Sequence, residues 1–206
     1  MISLMKIYDT KTAPTPRRVR IFLAEKGIDV DYVQVDLAKG ENLSPEMRAK
    51  NPIGKIPVLE LDDGTCIGES DAICLYFEAL QPEPPLLGVT PLEKGVIAMW
   101  QRQIEMCLFN QVGMCFQHTT GYFKDRMTPV PEFGKVSGIN ANKYLSVLDK
   151  RLAENEFMAG DKFSIADITA LCAIDFGRVV DLRIGEDQVN LQRWYDQINS
   201  RPSIKA

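Results

Sequence analysis

A proline at the start of an apolar run constrains the fold of this chain more than any other feature. The run covers residues 56–61, and its second residue is Pro57. Because proline has no N–H group to donate to a sheet ladder, it occurs in strands at an edge, at the first residue or at a bulge. Asp63-Gly64 then predicts a tight turn, and residues 66–68 predict a short returning strand. These residues predict an antiparallel hairpin whose first strand begins at a proline.

A helix start follows the hairpin directly. In Glu69-Ser70-Asp71 we expect Ser70 to be the N-cap and Asp71 to place a carboxylate in the first turn. A strand that begins with unpaired backbone groups, next to a helix N-terminus, suits a small peptide-like anion. The alternative is a plain hairpin that binds nothing, since such hairpins are common.

Length and charge exclude several classes of protein. The 206 residues suffice for one large or two small domains. The net charge of -4 gives no electrostatic reason to expect a nucleic acid or an anionic membrane as partner. No apolar run approaches the roughly 20 residues that span a bilayer. We read no signal peptide, and Met5 is an alternative start that makes residues 1–4 an extension.

The cysteines and the histidine indicate neither a disulfide framework nor a metal site. The five cysteines form no CxxC pair, and their odd number and scattered spacing fit a reducing compartment such as the cytoplasm. Cys107 and Cys115 are eight residues apart on a predicted helix, so we expect them to share a face as small buried apolar residues. His118 is the single histidine, which leaves no zinc constellation.

Residues 5–80 alternate between strand and helix in the order βαβ, α, ββ, α. A βαβ unit requires a parallel pair of strands and the hairpin adds an antiparallel pair, so we predict a mixed sheet. The predicted elements are strands at 5–9, 30–35, 56–61 and 66–68, and helices at 16–26, from 45, and from 71 to about 79. Thr15 and Ser44 are the predicted N-caps, and Gly27 is the predicted stop of the first helix.

Three prolines within residues 82–85 end this pattern. After them only helical patterns occur, at residues 93–116, 138–153, 165–180 and 191–200. The sequence therefore predicts an α/β domain at 1–81, a stiff linker at 82–90 and an all-helical domain at 91–206. Ser164 and Asp167 form a capping box, and we expect Asp167 to fix the entry of its helix and to take no part in chemistry.

This order of elements and four motifs resemble the cytosolic glutathione S-transferase superfamily, of the bacterial, theta-, beta- or nu-like type. The motifs are RVRIFLAEKG at 18–27, NPIGKIPVL at 51–59, ESDAI at 69–73 and SIAD at 164–167. They occur in the right order over nearly the whole chain. The resemblance implies an α/β thioredoxin-like N-terminal domain plus an all-α C-terminal domain, and a cis peptide bond before Pro57.

The resemblance also implies a glutathione site made of Asn42, Lys55, Ile56, Pro57, Glu69 and Ser70. The backbone of Ile56 would pair with the cysteinyl unit in the manner of a short strand. Glu69 and Ser70 would hold the γ-glutamyl end at the helix start. Lys55 and Asn42 would face the glycyl carboxylate. The alternatives are a plain helix cap for Glu69 and Ser70 and a solvated loop for Lys55 and Asn42.

The group that activates the thiol departs from the family pattern. Counted back from the first motif, the usual serine falls on Ala13, so Thr12 is the first candidate. Thr15 is the second, because it resembles an N-cap, and Tyr8 is the third. Lowering a thiol pKa from about 8.5 to about 6.5 requires about 2.7 kcal/mol. A hydrogen bond to a charged acceptor supplies roughly 1.5–3 kcal/mol, and a helix N-terminus about 0.3–1 kcal/mol more, so a threonine suffices.

The resemblance places the electrophile pocket between the domains, facing the loop at Thr12. The candidate lining residues are Met106, Phe109, Asn110, Gly113, Met114 and Phe116. Gly113 would leave room for a ligand. The alternative is that these methionines and aromatic residues belong to the helical core, as they more often do at this spacing.

The function implied is a cytoplasmic, homodimeric detoxification enzyme that transfers glutathione to a small electrophile. Its thiolate would attack an electrophilic carbon in an apolar pocket, with glutathione as co-substrate and no metal or other cofactor. Two alternatives stay open: a glutathione-dependent disulfide reductase that uses the same site, and a non-catalytic glutathione-binding protein. The absence of cysteine from the loop at Thr12 argues against a thiol mechanism of the enzyme itself.

Overall fold

The computed structural model describes residues 5–206, and the chain divides into two compact units. The first unit runs up to Pro85 and includes Lys205–Ala206, and the second is Leu86–Ile204. The proposed N-terminal extension, residues 1–4, lies outside the described residues.

A four-stranded mixed sheet forms the centre of the first unit. Its strands are β1 (Lys6–Asp9), β2 (Asp31–Gln34), β3 (Val58–Glu60) and β4 (Cys66–Gly68), in the spatial order β2-β1-β3-β4. β1 is parallel to β2 and antiparallel to β3, which is antiparallel to β4. The mixed sheet predicted from the sequence is therefore confirmed, and so is the hairpin that follows Pro57.

Three α-helices and a short 3-10 turn connect these strands. They are α1 (Pro14–Lys26), the turn Glu41–Leu43, α2 (Pro45–Lys50) and α3 (Ser70–Leu80). The fully buried core of the unit comes from β1, β3, α1 and α3, and its largest members are Ile7, Phe22, Leu23, Leu59, Ile73 and Phe77. The apolar residues of α1 and α3 thus pack with the sheet and fix the positions at which both helices begin.

The start of α1 differs from the prediction. The helix begins at Pro14, with Ala13 as an N-cap that has no side-chain hydrogen bond. Pro14 and Pro16 both fit the first turn, where a backbone N–H has no intrahelical partner to lose. The prediction of Thr15 as N-cap is therefore wrong. Gly27 ends the helix with a φ of 64°, as predicted.

Two other predictions in the first unit have different outcomes. Ser44 caps α2 as predicted, because its side chain accepts a hydrogen bond from the N–H group of Met47. The alternation at residues 30–35, by contrast, does not produce a half-buried strand. All four residues of β2 are exposed, since β2 is an edge strand of the sheet.

Lys26 fixes the segment after α3 to α1. Its buried ammonium group donates hydrogen bonds to the carbonyl oxygens of Gln81 and Pro84, both at 2.8 Å. It also pairs with the Glu78 carboxylate at 2.6 Å. The beginning of the proline-rich segment is thereby anchored to the first unit through its backbone.

The second unit is helical. Its α-helices are α4 (Pro91–Ile104), α5 (Asn110–Thr119), α6 (Pro131–Glu154), α7 (Ile165–Gly177) and α8 (Val189–Asn199), with 3-10 turns at Arg178–Val180 and Pro202–Lys205. A π-helical segment, Glu105–Phe109, separates α4 from α5. The single helix predicted at 93–116 is therefore interrupted, and α6 begins seven residues before its predicted start.

The π-helical segment changes which face each cysteine occupies. Cys107 is exposed, whereas Cys115 is 8% exposed and belongs to the core. Because a π turn contains one more residue than an α turn, it rotates the residues before it relative to those after it. The prediction that both cysteines share a buried face is wrong for Cys107.

Asp167 makes the capping box predicted at the start of α7. Its Oδ2 accepts from the Ser164 N–H at 3.0 Å and from the Ser164 hydroxyl at 3.1 Å. Its Oδ1 accepts from the Met158 N–H and from Trp194 Nε1, both at 2.9 Å. Asp167 thus connects three parts of the second unit through one buried carboxylate.

Two features are absent from the described residues: a helix that could span a membrane and a cluster of metal-binding side chains. Between Met5 and Ala206, none of the helices is both long enough and apolar enough to cross a bilayer. Over the same range, no group of three or more histidine, cysteine or acidic side chains is arranged to hold a metal ion.

Candidate functional site

Three segments of the first unit converge on one point through side-chain hydrogen bonds. The hydroxyl of Thr15, in the first turn of α1, donates to the carbonyl oxygen of Ile56 at 3.3 Å. The hydroxyl of Ser70, at the start of α3, donates to the carbonyl oxygen of Thr15 at 2.9 Å. Arg18 in α1 also donates to Asp71 in α3, at 3.1 Å. The start of α1, the residue before Pro57 and the start of α3 are therefore held together.

The backbone at Ile56 is open to pairing. The Ile56–Pro57 peptide bond is cis, as the resemblance implied. Ile56 and Pro57 are both buried, and β3 begins only at Val58. Within residues 5–206, the N–H group of Ile56 has no hydrogen-bond partner. An extended peptide laid along this point would meet a free donor, which is how strand-like recognition begins.

Glu69 has a backbone conformation that side-chain-bearing residues rarely adopt. Its φ is 67° and its ψ is 126°, and it is the N-cap of α3. Asp181 is the other non-glycine residue with a positive φ in the part of the chain that is described. Such a conformation costs of order 1–3 kcal/mol and is found most often at functional sites. The Glu69 side chain is exposed, so its carboxylate is available to a ligand.

Ser70 does not have the role predicted from the sequence. It is the first residue of α3 and not its N-cap, and its hydroxyl bonds to Thr15 in place of its own helix. The side chain is buried, with 5% exposure. Within the described chain, its backbone N–H has no partner, as is usual in the first turn of a helix. Ser70 therefore offers a backbone donor at the positive end of the helix dipole.

Asn42 and Lys55 lie on either side of Gly54. The Asn42 side chain donates to the Gly54 carbonyl at 2.7 Å, and its Oδ1 is shielded from solvent with no partner among residues 5–206. The Lys55 side chain is exposed, while its carbonyl accepts from the Asn51 side chain at 2.8 Å. Asn42 and Asn51 thus hold the loop, and Lys55 carries the available positive charge.

The β1–α1 loop contains the candidate activating groups. Thr12 is exposed, and its hydroxyl has no hydrogen-bond partner within the part of the chain that the structure describes. The Thr15 hydroxyl is committed to Ile56. The N–H group of Ala13 donates to the Thr10 carbonyl at 3.3 Å, which closes the loop into a turn. Of the two threonines, Thr12 has the hydroxyl that is free for a ligand.

Tyr8, the third candidate, is engaged elsewhere. It is buried, and its hydroxyl donates to Glu60 at 2.7 Å. The Lys50 ammonium lies 2.7 Å from the same carboxylate and 5.1 Å from the Tyr8 ring centroid. The hydrogen bond from Lys50 lowers the pKa of Glu60, and the Tyr8 hydroxyl lowers it further. Contact with Glu60 raises the pKa of Lys50 above its ordinary value. This cluster stabilises the sheet and leaves the Tyr8 hydroxyl no free role.

The candidate electrophile residues lie in the second unit, on the π-helical segment and the first two turns of α5. None of the six is buried: Met106 and Asn110 are exposed, and Phe109, Gly113, Met114 and Phe116 are partly exposed. A Cβ atom added to Gly113 would meet no atom within 4 Å. These residues therefore do not belong to the fully buried core of the second unit.

Sequence reasoning missed the charged pairs that fix the start of α1. Arg18 and Asp71 are 53 residues apart, and Arg20 pairs with Asp9 at 2.6 Å across the β1–α1 loop. Both arginines belong to the first motif, but nothing in their spacing identifies the partners.

Comparisons with known proteins agree with this architecture. The family model for the N-terminal domain of glutathione S-transferases matches residues 7–85, and the model for the C-terminal domain matches residues 137–202. Glutathione S-transferase 2 of Saccharomyces cerevisiae is 42% identical over 205 residues, which are 98% of this chain and 88% of that protein.

Solved structures give the same result. The crystal structure of Gtt2 from Saccharomyces cerevisiae has a TM-score of 0.93 at 42% identity, over 97% of this chain and 98% of that one. A Gtt2-class glutathione S-transferase of Vibrio parahaemolyticus has a TM-score of 0.87 at 35% identity, over 98% of this chain and 96% of that one.

The fold is thus an α/β thioredoxin-like N-terminal domain followed by a mostly helical domain, as the sequence predicted. This combination defines a class of glutathione-dependent transferases. The chain belongs to the glutathione S-transferase family, and the family and enzyme class inferred from its motifs are confirmed.

Proposed function

We propose that this protein binds glutathione in its first unit, stabilises the glutathione thiolate, and lets the sulfur attack a small apolar electrophile. The observation that carries the proposal is the convergence of two features. The first is the unpaired N–H of Ile56. The second is the start of α3, where Glu69 has a positive φ, and hydrogen bonds through Thr15 connect it to Ile56. A strand-like donor beside a helix N-terminus suits a short peptide with a terminal carboxylate.

Each end of glutathione has a chemical counterpart in this site. The Ile56 backbone pairs with the cysteinyl unit. The backbone N–H of Ser70 faces the γ-glutamyl carboxylate, which the dipole of α3 also favours. The exposed carboxylate of Glu69 balances the γ-glutamyl ammonium group, and the exposed ammonium of Lys55 faces the glycyl carboxylate. Pro57 and Asn42 hold the surrounding backbone.

Thr12 is the proposed activating residue. Its hydroxyl donates a hydrogen bond to the sulfur, and such a bond to a charged acceptor supplies roughly 1.5–3 kcal/mol. That is enough to lower the pKa of a thiol by one to two units. Thr15 supports the site indirectly, because its hydroxyl holds the Ile56 carbonyl while its own carbonyl accepts from Ser70.

The electrophile is proposed to bind at Met106, Phe109, Asn110 and Gly113. A π-helical turn, which is common at functional sites, runs through the first two of these residues. One turn beyond Gly113, the Phe116 ring packs edge-on or tilted against other aromatic rings at centroid distances of 5.1–6.0 Å. These features favour an apolar substrate.

The proposal includes a cellular setting and an assembly. The enzyme acts in the cytoplasm on small electrophiles as a detoxification enzyme, and as a homodimer. Glutathione is the co-substrate, and the chemistry of thiolate attack requires no further cofactor.

A matched pair of threonine variants tests the activation step. Thr12→Val keeps the side-chain shape and deletes the hydroxyl, so the pKa of bound glutathione should rise by about one to two units. Thr15→Val removes the bond to Ile56, so it should weaken glutathione binding several-fold and leave the thiol pKa nearly unchanged. Ultraviolet titration of the bound thiolate and calorimetry measure the two effects. If Thr15→Val raises the thiol pKa and Thr12→Val does not, the roles are reversed; if neither does, Thr12 does not activate the sulfur.

A further inference from the structure

Arg20 makes a set of contacts that the proposed chemistry does not use. It lies on α1, and its guanidinium group donates to the Asp9 carboxylate at 2.6 Å. The same group lies 3.5 Å from the carbonyl oxygen of Thr10 and donates to that of Lys11 at 3.3 Å. These carbonyls belong to the two residues immediately before Thr12. One side chain thus connects the body of the helix to the backbone of the loop that precedes it.

Asp9, which accepts the hydrogen bond from Arg20, is itself held firmly in the sheet. It is the last residue of β1, and only 1% of its surface is exposed. Its second carboxylate oxygen accepts from the Gln34 side chain of β2 at 2.9 Å, and its carbonyl accepts from the Val35 N–H at 2.7 Å. The carboxylate is therefore held by two strands, and it holds Arg20 in the orientation that reaches the loop.

The loop has few other restraints of its own. Pro14 and Pro16, in the first turn of α1, have no N–H group to donate. Among the described residues, the backbone hydrogen bond that closes the turn runs from the N–H of Ala13 to the Thr10 carbonyl. A planar guanidinium group presents several donors in a fixed fork, so it can hold a carboxylate and two carbonyls at once. A lysine ammonium cannot match this geometry.

We propose that the Asp9–Arg20 pair, with Gln34, is a positioning device that holds the β1–α1 loop so that the Thr12 hydroxyl faces the glutathione sulfur. Arg20 does not touch the sulfur; it acts through Thr12. The inference rests on the proposed function, because it assigns a support to the activating residue named there. Stability alone does not require such a pair, since well-packed apolar residues often replace a buried ion pair without loss.

The test compares Arg20→Met with Arg20→Lys in the full-length protein. In Arg20→Met the loop loses its hydrogen bonds from the guanidinium group. The pKa of the bound glutathione thiol should therefore rise by about one unit, and kcat at neutral pH should fall at least fivefold. The KM for glutathione should stay within about twofold, because Ile56, Glu69 and Ser70 are unchanged. Arg20→Lys keeps the contact with Asp9 but loses the planar set of guanidinium donors. The pKa of glutathione bound to this variant should therefore lie between the values for the wild type and Arg20→Met.

A control separates positioning from general loss of stability. Lys26→Met, at the other end of α1, removes a buried positive charge and leaves the Glu78 carboxylate without it. This variant should have a lower melting temperature and an unchanged pKa of the bound glutathione thiol. If Lys26→Met raises the thiol pKa as Arg20→Met does, the effect of Arg20 is general destabilisation and the inference is overturned. Should Arg20→Met not fold, Gln34→Met removes one bond to Asp9, and a thiol pKa equal to the wild type in that variant contradicts the proposal.

A double variant tests whether Arg20 acts through Thr12. In a Thr12→Val background, Arg20→Met should add little to the rise in thiol pKa, because residues that act as one unit are not additive. Full additivity overturns the inference. Failure of the proposed function would look different: the wild type itself would bind no glutathione or show no thiolate. If the wild type shows the thiolate and Arg20→Met titrates identically, only the positioning role is wrong.

Discussion

At the scale of single residues, burial and hydrogen bonding have opposite effects on the Asp167 carboxylate of the second unit. It is fully buried, and four donors from Met158, Ser164 and Trp194 face its carboxylate. Burial raises the pKa of Asp167 to about 6, against the lowering effect of these hydrogen bonds. In the unfolded chain the pKa has its ordinary value of 3.8. The folded state therefore binds the proton more tightly than the unfolded state.

This difference predicts a pH dependence of stability. Between about pH 4 and pH 6 the folded state holds more protons, so the contribution of Asp167 to the free energy of unfolding decreases as the pH rises, by about 3 kcal/mol in all. Asp167→Asn removes this titration. The difference in unfolding free energy between wild type and variant should be larger at pH 4.5 than at pH 7.5. Urea unfolding measures it, with the exposed Asp161→Asn as control. A difference that grows with pH would contradict the prediction.

Residues with local partners were predictable, and residues with distant partners were not. The capping box of Ser164 and Asp167 spans three residues, so the sequence contains the whole pattern. The bond from Thr15 to Ile56 joins residues 41 apart, and only the folded chain brings them together. For the same reason Thr15 was predicted to be an N-cap, although its hydroxyl donates to the carbonyl oxygen of Ile56. The positive φ of Glu69 has no sequence signature, because glutamate is not a residue that favours it.

At the scale of elements, the π-helical segment Glu105–Phe109 is the feature that periodicity could not reveal. One extra residue shifts the phase of the apolar pattern at a single point, and the pattern on each side of it stays helical, so residues 93–116 read as one continuous helix. Most other elements were found within a few residues of their predicted bounds. Strong alternation or helical spacing identifies an element, whereas its exact ends depend on packing.

Deleting one residue of the π-helical segment tests its role. Removal of Cys107, which is exposed, should convert the π turn into an α turn and join α4 to α5. We expect kcat/KM toward an aryl halide substrate to fall at least tenfold, because Met106 rotates relative to Phe109 and Gly113. Glutathione affinity should not change, since the proposed glutathione site consists of residues of the first unit. Cys107→Ala keeps the turn and serves as control. Full activity of the deletion variant would show that the π turn is not needed.

At the scale of the whole molecule, two exposed apolar side chains bear on assembly. Leu75 on α3 is 61% exposed and Ile139 on α6 is 56% exposed. Single exposed apolar residues are ordinary on a protein surface, so these two acquire a role only in the homodimer proposed above. In the proposed homodimer, the α/β unit of one chain packs against the helical unit of the other, so both residues are candidates for the interface.

Sedimentation equilibrium at micromolar concentration tests the dimer. The wild type should have twice the 23.2 kDa chain mass. Leu75→Arg and Ile139→Arg should each shift the equilibrium toward the monomer, because a buried unpaired charge is strongly unfavourable. A wild type that sediments as a monomer would rule out the homodimer, and a dimer unaffected by both variants would move the interface elsewhere.

The central claim of this account is that glutathione binds at the start of α3, and isothermal titration calorimetry tests it most directly. Glutathione is titrated into the wild type and into a variant that combines Glu69→Ala with Ser70→Ala. Glu186 is exposed, so the variant Glu186→Ala serves as the control for the loss of one negative charge. We predict that the double variant binds at least tenfold more weakly, which corresponds to about 1.4 kcal/mol or more, while circular dichroism shows an intact fold. An affinity equal to that of the wild type would contradict the account.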